Sequence, residues 1–260
     1  MPGKVAYRAY QLIWEALDWL YPPECGGCGK KGVRWCAECQ INSQELVNSG
    51  CERCGDVTVP SGICPRCKQS KPAYDAVRSW AAFIGPVRNA LHRLKYKRDI
   101  GLGERLARPM ISALTRLGWS VDQVVPVPLS LARLSERGYN QSALIAYPVA
   151  LGLGIPYSST SLRKTRDTRS QVGLSWNDRQ SNVAGAFMAV PGKVEGKRIL
   201  IIDDVTTSGT TLNECAIALK GGGAQRVYGY TFARAVFRHD TSGETPLHVD
   251  INPLNLSAGK

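Results

Sequence analysis

In the first twenty residues the apolar positions Val5, Ala9, Leu12, Ile13, Ala16, Leu17 and Leu20 recur three and four apart, the spacing that lines one face of an α-helix. Pro22 and Pro23 end that pattern. The stripe is expected to pack on the protein's own surface, with a membrane surface as the weaker alternative because the polar face is not especially basic. From residue 24 to about 70 aliphatic residues are few. After Tyr74 the pattern changes again. AVRSWAAF reads as a strand, PVRNALHRLKYKRD as a helix opened by Pro86, and GERLARPMISALTRLG as a second helix with Pro109 as a kink point. DQVVPVP is a short buried strand, GYNQSALIAYPVALGLG a helix disturbed by Pro148, and YSSTSLRK a strand. KRILIIDD, TLNECAIALKGGG and RVYGYTFARAV then form a βαβ unit, with the glycine run from Gly221 to Gly223 stopping its helix. Alternating strands and helices predict an α/β domain, a parallel sheet flanked by helices. The chain thus divides into a helix over 1–23, a small module over 24–72, the α/β domain over 73–240 and a polar, proline-interrupted tail over 241–260.

The small module is defined by cysteines. Eight of the nine fall in four CxxC pairs: Cys25 and Cys28, Cys36 and Cys39, Cys51 and Cys54, Cys64 and Cys67. A CxxC turn aims two sulfurs at one point, and two such turns complete a tetrahedral four-sulfur shell with no open position, the structural kind of zinc site. About two zinc ions per chain follow. Sequential pairing gives one site from the first four cysteines and another from the last four; a cross-brace would alternate the pairs. Shorter loops lose less entropy on closure, so sequential pairing is favoured. The module has few aliphatic residues, and zinc must supply much of its folding energy. Cys215 sits in a helical apolar pattern with Leu212, Ala216 and Leu219, and reads as core packing.

Composition adds charge to this picture. Among 260 residues, 33 Lys and Arg stand against 21 Asp and Glu, a formal net charge of +12. Two four-thiolate zinc sites would lower it by about four, to roughly +8. Anionic partners such as nucleotides, phosphorylated substrates or nucleic acid remain favoured. No stretch approaches the roughly 20 apolar residues of a membrane span. Arg8, Glu15 and Asp18 interrupt the N-terminal segment where a signal peptide needs a continuous apolar run, so a cytoplasmic location is expected.

The chemistry concentrates in residues 199 to 211, ILIIDDVTTSGTT. Asp is disfavoured in strands, and adjacent carboxylates repel unless a cation or a hydroxyl-rich ligand shares them. In a parallel sheet ligands bind at the carboxyl ends of the strands, where Asp203 and Asp204 fall. Gly209 lets the backbone approach a phosphate, while Thr207, Ser208, Thr210 and Thr211 offer hydroxyls at the start of a helix whose free N–H groups favour anions. The arrangement fits a ligand with a phosphate at one end and sugar hydroxyls, with or without a divalent metal, at the other. The alternative is a strand followed by an ordinary capped helix. Neither a Walker P-loop nor a GxGxxG fingerprint is present.

IIDDVTTSGTT resembles the phosphoribosyl pyrophosphate motif of type I phosphoribosyltransferases, in which two acids hold the ribose hydroxyls and the following loop holds the 5′-phosphate. Over residues 5 to about 237 the chain resembles more narrowly the ComF/GntX family, bacterial proteins linked to natural competence and the use of external DNA. Four features carry the resemblance: the N-terminal helix leading into CxxC pairs, VRSWAAFIGPVRNALHRLKYKRD, VVPVPLSLARLSERGYNQSALIA, and TRDTRSQVGLSWNDRQSNVAGAF. It implies a type I phosphoribosyltransferase-like parallel sheet flanked by helices, preceded by a small four-cysteine zinc module. It further implies pyrophosphate contacts near residues 128–130, with Ser130, Arg133 and Arg137, and a closing loop over 163–182. The implied reaction is displacement of pyrophosphate at ribose C1 with magnesium, the protein mainly positioning charge. Purine-handling members of that superfamily carry an acid where Thr207 stands here, which disfavours purine salvage and leaves the acceptor and any catalytic residue unassigned. A second class of function stays open: a non-catalytic adaptor that contacts single-stranded DNA or a competence helicase through the zinc module and Arg88, Arg93, Lys95, Lys97 and Arg98, interleaved with Tyr96. Assembly as a homodimer is also left open.

Overall fold

The computed structural model describes residues 2–46, 50–166 and 184–236. Most of the loop read at 163–182, and the tail at 241–260, lie outside them. At the centre is a four-stranded sheet in the order β1 (Ala76–Ala82), β6 (Arg226–Arg234), β5 (Arg198–Thr206), β2 (Gln123–Pro126), with every neighbouring pair parallel. Parallel strands need crossovers, and these are supplied by α4 (Gly85–Tyr96), α5 (Leu102–Leu117), α7 (Gln141–Leu153) and α8 (Thr210–Gly221). Pro109 and Pro148 are accommodated inside α5 and α7.

Strand β5 shows how the sequence sorts the two faces. Side chains alternate along a strand, so Leu200 and Ile202 enter one core with Trp80, Leu94, Met110 and Phe232, beneath α4, α5 and α7. Ile199 and Ile201 enter the other with Leu212, Cys215 and Val227, beneath α8. That second core also contains Cys51, Cys54, Cys64 and Cys67. The first four cysteines form a separate small cluster, containing Cys25, Cys36 and Cys39, against which Trp35 packs. Short helices α2 (Ala37–Ile41) and α3 (Pro65–Gln69) lie in these two cysteine regions.

The cysteine module also runs along the outer edge of β1. Leu46 N donates to Trp80 O (2.8 Å), Ala82 N to Gln44 O (2.8 Å) and Val77 N to Arg53 O (2.7 Å). At the opposite edge, residues 156–158 pair with Val124 of β2. Both sheet edges therefore have backbone partners beyond the four strands.

Two elements differ from the sequence reading. Helix α1 (Pro2–Leu20) forms, but its aliphatic stripe is not the packed face: Val5 is 73% exposed and Ile13 60%. The helix is held from the other side, where Tyr10 meets Tyr147 edge-on at 5.6 Å, Asp18 pairs with Arg34 (2.6 Å) and Arg105 (3.2 Å), and Tyr7 donates to Glu104 (3.4 Å). Amphipathic aromatics and ion pairs outcompeted the aliphatic stripe because the surface they meet carries the buried Glu104 and two arginines. The strand read at YSSTSLRK shrinks to β3 (Leu162–Lys164), which pairs antiparallel with β4 (Phe187–Ala189) outside the main sheet. A further short helix, α6 (Leu131–Arg137), follows Ser130 and carries Arg133 and Arg137. None of the described helices is long and apolar enough to cross a membrane.

Candidate functional site

Asp203 and Asp204 lie within β5, not at its end, because β6 stays paired alongside as far as Thr206. Pairing with β2 stops at Ile202, so the acids emerge just past that shorter neighbour, next to the start of α7. Both are buried. Asn140 caps α7, accepting from Ser142 N (3.0 Å) and donating to Val127 O (2.9 Å), and this cap aims the next two side chains at the acids. Ser142 Oγ donates to Asp203 Oδ1 (2.7 Å), and Gln141 Nε2 donates to Asp204 Oδ1 (3.3 Å). From α4, the Lys95 ammonium sits against Asp204 Oδ2.

These neighbours divide the labour between two adjacent acids. Burial, together with the charge of Asp204, pushes Asp203 up to about 8. Burial acts on Asp204 as well, but the Lys95 ammonium outweighs it and holds that carboxyl below its ordinary value. At neutral pH the pair therefore carries one proton and one ion pair, a nearly neutral surface with hydrogen-bonding oxygens, suited to hydroxyl groups. Lys95, Gln141 and Ser142 were not singled out for this site by the sequence. Lys95 lay in a run of cations that reads as a nucleic-acid face, and only its helical register toward Leu91 and Leu94 hinted that it turns inward.

Beyond Thr206 the chain makes the hydroxyl-rich loop 207–211. Gly209 adopts φ +80°, which disfavours any side chain, and a Cβ there would come 3.2 Å from the Tyr74 hydroxyl. Thr210 begins α8, whose first turn contains no acidic residue and no side-chain cap. Ser208 and Thr210 share a hydroxyl hydrogen bond (2.7 Å). Thr207, Ser208 and Thr211 are partly exposed, whereas Gly209 and Thr210 are buried. The loop is thus shaped in advance at a helix N-terminus, where backbone N–H groups favour an anion.

The residues 128–137 behave differently from one another. Ser130 caps α6, its Oγ accepting from Arg133 N (3.4 Å), and is buried in that role. Arg137 leans over the Tyr96 ring (5.4 Å) and donates to Gln141 Oε1, which ties it to the acid pair through one side chain. Arg133 is partly exposed on the same helix.

The eight paired cysteines gather into two groups, Cys25, Cys28, Cys36, Cys39 and Cys51, Cys54, Cys64, Cys67, with the sulfurs of each within 4.8 Å of one another. Pairing is sequential. Sulfur separations of 3.7 Å for Cys25–Cys39, Cys28–Cys36 and Cys54–Cys64 match the roughly 3.8 Å edge of a tetrahedron with about 2.3 Å zinc–sulfur bonds. Both shells fit structural zinc.

Comparison with known proteins agrees with this geometry. Residues 16–68 match the double zinc ribbon domain and residues 139–251 the phosphoribosyl transferase domain. The DNA utilization protein YhgH of Salmonella typhimurium is 32% identical over 208 residues, covering 77% of this chain and 90% of that protein. Competence protein F of Haemophilus influenzae is 29% identical over 220 residues (81% and 90%), and competence protein ComFC of Bacillus subtilis 25% over 240 (86% and 90%). Among solved structures, adenine phosphoribosyltransferase from Thermoanaerobacter pseudethanolicus is 16% identical with a TM-score of 0.34, over 53% of this chain and 83% of that one. With paired zinc ribbons ahead of a type I phosphoribosyltransferase fold, and with this identity across nine tenths of a relative, the chain belongs to the ComF family of competence-associated proteins.

Proposed function

We propose that this protein binds phosphoribosyl pyrophosphate and transfers its phosphoribosyl group to an acceptor, in the service of DNA uptake and use. The observation that carries the reading is the buried acid pair beside an open phosphate loop. Asp203 and Asp204 accept from the ribose hydroxyls, and the loop 207–211 holds the 5′-phosphate. In the transfer the bond from C1 to the diphosphate oxygen breaks, the electron pair leaves with the diphosphate, and the acceptor's lone pair forms the new bond to C1. Magnesium would supply charge neutralisation for the leaving diphosphate, with Asp203 and Asp204 as the acids that would hold it beside the ribose; Asp204 already pairs with Lys95. Ser142 and Gln141 keep the acids oriented, and Arg137 stands behind Gln141 as a further cation. Such a reaction fits a cytoplasmic protein with reduced, zinc-bound thiols.

The adaptor reading loses part of its basis. Lys95 is drawn into the acid pair, and Arg93 pairs with Glu24 (3.3 Å) and Asp99 (3.5 Å), so at least two of the five cations of that run are engaged internally. Titration calorimetry with phosphoribosyl pyrophosphate and magnesium, followed by diphosphate release with candidate acceptors, tests the proposal. Replacing Asp203 and Asp204 together by Asn should weaken binding at least about tenfold, roughly 1.4 kcal/mol. Unchanged binding would reduce the motif to a helix cap. Binding without diphosphate release for any acceptor would leave the protein a ligand-gated adaptor.

A further inference from the structure

The second cysteine group does not stand apart from the phosphate loop. Ala73 N donates to Asn213 Oδ1 on α8 (2.8 Å), and the buried Tyr74 reaches Gly209, so the segment leaving the second ribbon is fastened to the first turn of α8. Between them lies a cavity of about 180 Å³, lined on one side by Ser208, Gly209, Thr210 and Asn213 and on the other by Arg66 and Lys71. That is room for a phosphate group with several waters, each taking about 30 Å³ in the liquid. Among the described residues no acidic side chain lines it.

We infer that the second zinc ribbon forms half of the anion site: Arg66 and Lys71 close over the 5′-phosphate that the loop 207–211 holds. The inference rests on the phosphoribosyl reading above and extends it to a module with no acid–base chemistry of its own. Arg66 is positioned by the metal centre, since its guanidinium donates to Cys54 Sγ (3.6 Å), with Asp56 at 4.0 Å. A four-thiolate zinc shell would carry a net charge of −2, and Arg66, standing between that shell and the cavity, screens it from the phosphate. Lys71 is exposed at the cavity wall and supplies the second cation. Two cations from the ribbon and the N–H groups of α8 then face one dianion from opposite sides, the arrangement that charge-assisted hydrogen bonds favour. Zinc in the second centre thereby becomes a condition for ligand affinity as well as for the ribbon's fold.

The test uses the full zinc-loaded chain, with ribose 5-phosphate and phosphoribosyl pyrophosphate as titrants and zinc content measured in every variant. Lys71→Glu should weaken ribose 5-phosphate about tenfold or more and Lys71→Gln about threefold, with both zinc ions retained. Arg66→Gln should weaken it similarly, and is counted only where zinc content is unchanged. If the parent and Lys71→Glu bind ribose 5-phosphate alike, this inference falls while the phosphoribosyl reading stands. If the parent binds neither compound, both fall. If Lys71→Glu loses a thymidine oligonucleotide but keeps ribose 5-phosphate, the cavity serves a strand and the inference is overturned.

Discussion

The two four-cysteine centres have the same ligands, the same CxxC turns and similar loop lengths, yet they are embedded differently. The first stands apart from the main cores: Cys28 is exposed, and its ribbon rests on the body through Trp35, edge-on to Phe232 at 6.4 Å, through Asn89, which donates to Gly27 O (2.9 Å), and through Arg34, which pairs with Asp99 (2.7 Å). In the second, all four cysteines are buried in one core with the sheet and α8. The buried guanidinium of Arg234 at the end of β6 donates to Cys54 O, and Arg78 of β1 donates to Glu52 O (2.9 Å). Ligand chemistry therefore says what binds, while the surroundings say what depends on the binding. Loss of metal from the first centre should unfold a ribbon; loss from the second should empty part of a domain core.

The largest effect separating them should come from Cys51→Ser. It removes a thiolate inside the shared core, and is expected to cost at least about 3 kcal/mol in global stability and to abolish ligand binding, read by thermal melting and calorimetry. Cys28→Ser, its counterpart in the first centre, should remove one zinc of two yet leave phosphoribosyl pyrophosphate affinity within about twofold. Equal losses for the two variants would erase the distinction. An intermediate effect is expected for Arg234→Leu, which leaves the Cys54 carbonyl and its neighbours without a buried donor: about 2 kcal/mol, with zinc content intact. The smallest effect lies in a pH scan. Asp203 has a folded pKa near 8 against an ordinary 3.8, so the folded state holds the extra proton between those values. That contribution is full below about pH 4 and is lost as the pH rises through 8, whereas thiolate centres weaken as the pH falls. At fixed zinc occupancy, melting temperature should decline from about pH 6.5 to about 8.5, and Asp203→Asn should flatten the decline without altering either centre.

Much of this was legible in the chain. CxxC spacing named the ligands, and loop entropy favoured the sequential pairing that the sulfurs adopt. ILIIDD announced a buried strand ending in two acids, although the continued pairing with β6 placed them inside it. Other features were hidden for physical reasons. Lys95 looked like its neighbours Arg93 and Lys97, since charge alone does not reveal which face of α4 meets a buried carboxylate. Helix α1 misled because periodicity reports where aliphatic residues lie, not which face finds a complementary surface; Tyr7, Tyr10 and Asp18 found one. Gln141 and Ser142 were read as the first turn of a helix, and their role follows from a cap that only the folded loop supplies.

The strip of chain over residues 44–46 has a consequence outside ligand binding. It is secured between the two metal centres, and it occupies the free side of β1. On the far side, β2 is shielded by residues 156–158, which belong to the domain itself and need no metal. In a cell starved of zinc the two flanks would thus part company. One would stay shielded, and the other would present an unpaired row of amides and carbonyls to any neighbouring chain, a template for aggregation. Metal supply would then govern solubility, with each demetallated molecule a hazard to the next.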